Sequence, residues 1–249
     1  MDWNVVFYEE IDSTNTEVRR LSQAGAEQGL VAVADKQSAG KGRRGRGWES
    51  PAGTNLYFSI LLRPAFTPEK APMLTLLMAY SVVRVLRGEG QQAQIKWPND
   101  VVLSNKKLCG ILTEMHMTGC QIEDVIIGVG INVNTTEFPE ELKEKATSLR
   151  IETGIELERK SLLQCILQEF QKQYECFLEW EDLSFIKEDY NQMLINRNRE
   201  VQVLEPGKEY HAEALGINEL GELLVRKESG SIEAVFAGEV SVRGIYGYV

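Results

Sequence analysis

Runs of apolar residues separated by short polar breaks predict most of the strands in this chain. Residues 3–11 and 30–34 have the β-rich composition of strands, and the continuous apolar run at 56–62 predicts a fully buried one. Turn residues at 104–106 and 118–119 divide a later apolar stretch into hairpins. Further strands are predicted at 94–97, 101–103, 107–115 and 125–131.

Helices are predicted where apolar residues recur at three- and four-residue spacing. Thr14, with Glu17 three residues later, has the pattern of a capping box that opens a helix ending at Gly25. Pro68 stands at the first position of a second, largely buried helix that runs to about Leu86. Two later helices are predicted at 161–180 and around 185–195. Together the elements predict an α+β fold, with a mixed sheet flanked by helices.

The pattern changes after Asn196, where short strands and glycine turns replace the helices. Residues 199–249 contain short apolar runs separated by Gly and polar residues. Such a segment predicts a small β-barrel appended to the mixed domain. We therefore expect two domains, at 1–196 and 197–249.

Composition places the chain among soluble globular proteins. Its 249 residues suffice for one large domain or for one domain with a small second one. Hydrophobic residues make up 43% and charged residues 26%, which is typical of this class. No apolar run is long enough to span a bilayer, and the first residues do not form a signal peptide. We therefore predict a cytoplasmic protein that does not bind membranes.

Cysteine and histidine usage argues against two common kinds of site. The four cysteines are far apart without a Cys-x-x-Cys pair, and the chain has only two histidines. Disulfides are unusual in the cytosol, and zinc ligands are spaced more closely than this. We predict no metal-ligating residues and no serine or cysteine nucleophile, and we interpret the cysteines as buried packing residues.

Positive charge is concentrated in one glycine-rich segment, residues 36–47, which we call the basic loop. It holds Lys36, Lys41, Arg43, Arg44 and Arg46 together with four glycines and no acid. The whole chain carries a net charge of −10, which becomes −15 without these five cations. A local cationic site on an acidic body suits a small, highly charged anion better than a long polyanion.

The basic loop matches two nucleotide-binding motifs only superficially. A Gly-x-Gly-x-x-Gly pattern at 40–45 follows a strand, but Gly47 and Pro51 prevent the helix that a dinucleotide site requires. A Walker loop is excluded because Lys41 is followed by Gly42 and not by Ser or Thr. From the loop alone, two interpretations stay open. In the first, the basic loop folds around a phosphate-bearing ligand. In the second, it is a solvated Arg-Gly segment of the kind that binds RNA.

Four other motifs have ordinary structural interpretations when each is taken alone. Asn99 and Asp100 are typical turn residues. Lys107 begins an apolar strand, where a lysine is costly unless it meets an anion or reaches solvent. Glycines at 128 and 130 indicate either a strand bulge or the close approach of a ligand. Residues 12–15 start a helix with more polar side chains than capping alone requires.

In this order and at these spacings, the motifs resemble those of the biotin–protein ligases (biotin–[acetyl-CoA-carboxylase] ligases). The matching segments, which span essentially the whole chain, are 12–15, Gln37–Trp48, Lys96–Asp100, Lys107–Leu112, Gly128–Asn132 and 238–243. The resemblance implies the class II synthetase-like biotin/lipoate ligase fold with a C-terminal SH3-like β-barrel. It also implies an enzyme that uses ATP, biotin and Mg²⁺ to form biotinyl-5′-adenylate. Biotin then passes to one lysine of a biotin carboxyl carrier protein, in acetyl-CoA carboxylase or a related carboxylase.

The resemblance implies roles for individual residues as well. Lys107 and Arg43 are implied to be catalytic, because cations offset the repulsion between the biotin carboxylate and the α-phosphate of ATP. The basic loop is implied to close over the adenylate and exclude water, and we expect it to become ordered on ligand binding. The implied biotin-binding residues are Ser13, Thr14, Asn15, Gln37, Gly40, Lys41, Gly42, Arg43, Lys107 and Gly110. The implied ATP-binding or adenylate-binding residues are Arg44, Arg46, Trp48, Asn99, Asp100, Asn132, Glu239 and Arg243.

Two features depart from the pattern of the family. Lys41 stands where the family usually has arginine, and lysine cannot make the bidentate contact of a guanidinium group. We therefore expect weaker retention of the adenylate, with activity preserved. Some members carry an N-terminal DNA-binding domain. Because the first strand begins near Trp3, we expect that domain to be absent and the protein not to bind DNA, in keeping with its acidic charge. The resemblance is compatible with a monomer or a homodimer.

Two other functions compete with this interpretation. A lipoate–protein ligase or octanoyltransferase shares the fold and the lysine. The transferase would need a thiol, and Cys109 lies two residues after Lys107, on the same side of an ideal strand. We nevertheless interpret Cys109 as a packing residue. A non-enzymatic RNA-binding module would explain the basic loop but not the polar motifs outside it.

Overall fold

The computed structural model describes residues 1–205, 208–236 and 241–244. Within residues 4–131, seven strands form one mixed sheet in the order β1-β2-β3-β7-β6-β5-β4. Strands β1 and β2 pair in parallel, and all other neighbours in this sheet are antiparallel. The strands are β1 (Asn4–Ile11), β2 (Leu30–Gln37), β3 (Leu56–Leu62), β4 (Gln94–Lys96), β5 (Asp100–Leu103), β6 (Lys106–Thr118) and β7 (Gln121–Ile131).

Helices cover both faces of this sheet, which confirms the predicted α+β architecture. Strand residues alternate between the faces because the side-chain period of a strand is two. Phe58 and Ile60 belong to the main core with helices α2 and α4, whereas Leu61 and Ile126 pack with Val18 of α1. The helices are α1 (Thr14–Gln23), α2 (Met73–Gly88), α3 (Leu149–Thr153), α4 (Arg159–Trp180) and α5 (Lys187–Met193).

The start of α1 differs from the predicted capping box. Ser13 is the N-cap residue and Thr14 lies inside the helix, where its hydroxyl contacts Gln37 and Ser59. Glu17 accepts a hydrogen bond from Tyr8 and pairs with Arg20 instead of reaching back to the cap. The prediction was wrong because the Thr14 hydroxyl finds its partners on β2 and β3, far away in sequence.

The predicted start of the second helix was also too early. Pro68 does occupy the first position of a helical turn, but this turn is a short 3₁₀ segment, Pro68–Lys70. The α-helix itself begins at Met73 and runs to Gly88. Its buried residues form a large part of the core over the sheet.

A second sheet follows Asn196, as predicted for a small SH3-like unit. Its described strands are antiparallel and lie in the order β11-β10-β9-β8-β12. They are β8 (Arg199–Glu205), β9 (Lys208–Ile217), β10 (Leu223–Arg226), β11 (Ile232–Val235) and β12 (Ser241–Gly244). Trp97 Nε1 donates a 3.0 Å hydrogen bond to the carbonyl oxygen of Gly221 and so ties the two parts together. The division into domains at residue 196 stays a prediction.

Across the described ranges, no helix combines the length and the apolar character that crossing a bilayer requires.

Candidate active site

A cavity opens between the start of α1, the basic loop and the facing strands β6 and β7. It brings together residues that are more than 100 positions apart in the chain, from Ser13 to Gly130. The predicted site residues that line it are Ser13, Thr14, Asn15, Gln37, Lys41, Gly42, Arg43, Trp48, Asn99, Lys107 and Gly110.

One end of the cavity is polar and pre-organised by side-chain hydrogen bonds. Gln37 Oε1 accepts from the Thr14 backbone N–H at 2.8 Å, and Gln37 Nε2 donates to Ser50 Oγ at 2.8 Å. Asn15 Nδ2 donates to a carboxylate oxygen of Glu114 at 2.6 Å. Thr14 and Asn15 are each 4% exposed, so the network fixes the orientation of these groups.

Glycines on β6 and β7 provide the space for this arrangement. A Cβ atom at Gly128 would lie 2.0 Å from Asn15 Oδ1. A Cβ atom at Gly130 would lie 2.6 Å from Trp48 Nε1, and one at Gly110 would lie 2.8 Å from Trp48 Cζ3. The glycines at 128 and 130 therefore make room for the side chains of Asn15 and Trp48. The close approach of a ligand to these glycines stays a prediction.

The other end of the cavity is cationic. Lys107 Nζ lies 2.7 Å from Asp100 Oδ1 and 5.2 Å from the centre of the Trp48 ring. Arg43 Nη1 donates to Asn99 Oδ1 at 3.0 Å, and Asn99 Nδ2 donates to a carbonyl oxygen of β6 at 3.0 Å. Asn99 and Asp100 therefore orient the two cations that the resemblance implies to be catalytic.

Arg43 sits where an added anion would be stabilised. Burial lowers the pKa of its guanidinium group, the charge of Arg44 lowers it further, and Asp100 acts in the opposite direction. The charge of Arg46 also lowers the pKa. Burial is the largest cause of the lowered pKa, and the charges of Arg44 and Arg46 add to it, so positive charge is crowded here. Phosphate or carboxylate oxygens entering the cavity would relieve the repulsion.

A bulge in β6 separates Lys107 from Cys109. Along β5, consecutive residues Val101 and Val102 pair with Cys109 and Lys107, so Leu108 is an extra residue on β6. Lys107 lines the cavity, whereas Cys109 is fully buried in the apolar core. Burial raises the pKa of the Cys109 thiol well above its ordinary value. The expectation from an ideal strand was therefore wrong in geometry, and the interpretation of Cys109 as packing is favoured. The prediction of buried cysteines was wrong for Cys120 and Cys165, which are exposed.

Several predicted residues do not line the cavity. Gly40 packs behind it, where a Cβ atom would lie 2.4 Å from the carbonyl oxygen of Trp48. Asp100 acts through Lys107, and Asn132 is buried with its Nδ2 donating to the carbonyl oxygen of Thr147 at 3.0 Å. Arg44 and Arg46 lie in the exposed part of the basic loop. Glu239 lies outside the described residues, as does the side chain of Arg243.

Two residues of the polar network were not identified from the sequence. Ser59 interrupts the apolar run of β3, and this single polar position in a buried strand is the signal that was available. Glu114 lies on β6 outside the cavity and acts through Asn15. No local pattern marks it, because its partner lies 99 residues earlier.

Within residues 1–205, 208–236 and 241–244, no group of three or more His, Cys, Asp or Glu residues could hold a metal ion. The carboxylate at the cationic end, Asp100, already pairs with Lys107. Mg²⁺ commonly binds through substrate phosphates with one or two carboxylates. The implied Mg²⁺ would therefore be held mainly by ATP, and it stays a prediction.

Comparisons with known proteins give a consistent result. Residues 7–132 match the "Biotin/lipoate A/B protein ligase family", and residues 198–243 match the "Biotin protein ligase C terminal domain". The bifunctional ligase/repressor BirA of Bacillus subtilis is 36% identical over 97% of this chain and 75% of that protein. The biotin–[acetyl-CoA-carboxylase] ligase of Mycobacterium tuberculosis is 30% identical over 92% of this chain and 85% of that protein. A structure of the biotin protein ligase from Aquifex aeolicus in complex with biotin and ATP has a TM-score of 0.83 and 33% identity, covering 97% and 99% of the two chains.

Proposed function

Because the chain belongs to the biotin/lipoate A/B protein ligase family, we propose that it is a biotin–protein ligase. It joins biotin and ATP to form biotinyl-5′-adenylate and transfers biotin to a lysine of a carboxylase subunit. The observation that carries this function is a single cavity with Lys107 and Arg43 at one end and Thr14 and Gln37 at the other. This arrangement suits a ligand with a carboxylate at one end and a polar ring at the other.

The cationic end supports the first chemical step. A carboxylate oxygen of biotin attacks the α-phosphorus of ATP, the bond to the β-phosphate oxygen breaks, and pyrophosphate leaves. Two anions must approach each other in this step. Lys107 and Arg43, held by Asp100 and Asn99, offset their repulsion without needing to reorganise. The polar end fixes the remote part of the ligand and so places its carboxylate.

The second step transfers the activated biotin. The amine of the acceptor lysine attacks the carbonyl carbon of the mixed anhydride, loses a proton, and expels AMP. Water would compete for the same carbon. We propose that the basic loop, which lines the cavity through Lys41, Gly42 and Arg43, shields the adenylate until the acceptor arrives. The acceptor in this proposal is a biotin carboxyl carrier protein, supported by the name of the mycobacterial relative.

Exchange of labelled pyrophosphate into ATP tests this function directly. We expect exchange with biotin and none with lipoate or octanoate, because neither acid offers polar ring groups to the polar end of the cavity. The dithiolane ring of lipoate has no N–H or C=O group, and octanoate has no ring. Exchange with lipoate, or the absence of exchange with biotin, would contradict the proposal. The octanoyltransferase alternative is not favoured, because the Cys109 thiol lies in the core and its pKa is raised by burial.

A further inference from the structure

Five polar side chains lie within hydrogen-bonding distance of one another in a row from β6 to the cavity. Glu114 Oε2 and Asn15 Nδ2 are 2.6 Å apart, and Asn15 Oδ1 lies 2.6 Å from Ser59 Oγ. Ser59 Oγ lies 2.7 Å from Thr14 Oγ1, which in turn lies 3.2 Å from Gln37 Oε1. Ser59 is fully buried, so its single proton has no solvent partner.

The carboxylate of Glu114 determines the direction of these bonds. An ionised carboxylate only accepts, so the amide nitrogen of Asn15 must face it, and Leu112 O accepts from the same nitrogen at 3.3 Å. The carbonyl oxygen of Asn15 therefore faces Ser59 and takes the only proton that Ser59 can donate. Ser59 Oγ is then left as an acceptor for Thr14.

The hydroxyl proton of Thr14 has two possible acceptors. Its proton goes to Ser59 Oγ at 2.7 Å in preference to Gln37 Oε1 at 3.2 Å, which already accepts from the Thr14 backbone N–H. With that proton committed, the Thr14 oxygen has lone pairs and no hydrogen to offer a ligand. Thr14 lines the cavity, so it presents an acceptor there.

We propose that Glu114 and Ser59 are positioning residues that hold the Thr14 hydroxyl as an acceptor and so select ligands with an N–H donor at this end of the cavity. The inference rests on the proposed function, since the ureido ring of biotin carries such N–H groups. In a ligand with oxygen in place of this N–H, the lone pairs of that oxygen would repel those of Thr14 Oγ1. The buried Thr14 hydroxyl would then lose its hydrogen-bond donor.

The test compares biotin with an analogue in which one ureido N–H is replaced by oxygen, a cyclic carbamate made as both regioisomers. Binding of each compound is measured by calorimetry for the wild type, Ser59→Ala and Glu114→Gln. For the wild type we expect at least one regioisomer to bind roughly 100-fold more weakly than biotin.

Ser59→Ala removes the closer acceptor of the Thr14 proton, which then turns between Gln37 Oε1, 3.2 Å away, and a ligand oxygen. We expect the ratio of the two dissociation constants to fall to about tenfold or less. Glu114→Gln removes the fixed acceptor, so the Asn15 amide is free to turn and the chain is free to run in reverse. We expect the ratio of the two dissociation constants to fall by a factor of at least about three. Ser81→Ala is the matched control, because it also removes a buried serine hydroxyl, one that donates to Leu77 O within α2 and lies outside the cavity.

A purely structural role would weaken both compounds equally and leave the ratio unchanged. Wild-type ratios in both variants would overturn the inference while leaving the proposed function intact, as would a wild type that binds biotin and both regioisomers equally. A wild type that does not bind biotin would overturn the proposed function itself. If Ser59→Ala fails to fold, Glu114→Gln decides, because Glu114 is partly exposed and lies outside the cavity.

Discussion

Replacing Lys107 by alanine should impair adenylation far more than biotin binding. Lys107 Nζ is held 2.7 Å from Asp100 and its side chain is 26% exposed, so the ground-state pair with a biotin carboxylate is partly solvated. Such partly exposed ion pairs contribute about 1 kcal/mol or less, which corresponds to a loss of affinity of about fivefold. During adenylation the lysine faces the charge of two anions, and removing it also leaves Asp100 uncompensated beside them.

The kinetic loss follows from the same geometry. Two unit charges about 4 Å apart interact by about 4 kcal/mol at an effective dielectric constant of about 20. Losing that stabilisation in the transition state lowers the rate about 1,000-fold. Single-turnover formation of the adenylate and calorimetric biotin binding measure the two effects separately. Lys106→Ala is the control, because the neighbouring ammonium group bonds to Lys143 O outside the cavity. Equal losses in rate and affinity would contradict this prediction, as would an unaltered rate.

Two further predictions concern the elements that hold the cavity in shape. Gly128→Ala places a Cβ atom 2.0 Å from Asn15 Oδ1, so we expect biotin affinity to fall about tenfold through a lost hydrogen bond. Gly88→Ala, which meets nothing within 4 Å, is the control, and an unchanged dissociation constant would contradict the argument. Asp124 is fully buried; burial raises its pKa, but hydrogen bonds from Ser22 and His116 outweigh this and hold the pKa below its usual value. A depressed folded pKa means that the stabilisation is present above about pH 4 and is lost as pH falls further. The Tm difference between wild type and Asp124→Asn should therefore shrink below pH 4. A Tm difference that stays constant with pH would contradict this prediction.

The sequence was most informative where local patterns decide structure. Alternation and apolar runs located the strands, and the basic loop was recognisable because its cations are contiguous on an acidic chain. Lys107 was marked by its place at the head of an apolar strand. Its partner Asp100 lies on the adjacent strand, so a hairpin is enough to bring them together. Features of this kind depend on short-range order, which a single sequence expresses directly.

Other features of the site depend on contacts between distant elements. The capping box at Thr14 failed because the hydroxyl bonds to Ser59, which lies 45 residues away. The prediction that Cys109 and Lys107 lie on the same side of the strand was wrong, because a bulge at Leu108 shifts the register. Nothing in the local sequence pattern marks the extra residue. Glu114 on β6 acts through Asn15 on α1. Its role therefore depends on the packing of α1 against the sheet, which no local sequence pattern expresses.

The hydrogen bonds and ion pairs of the cavity compensate the positive charge of its cationic end. Buried or crowded cations destabilise a fold unless partners compensate them. Lys107 has the carboxylate of Asp100, the first residue of β5, and Arg43 has the amide oxygen of Asn99, which precedes it in the turn. Asn99 and Asp100 therefore compensate both cations and hold them in the lining of the cavity, where negative charge develops in the proposed reaction. Because these partners are already in position, binding energy from the polar end can be directed to the reacting carboxylate and not to ordering the site.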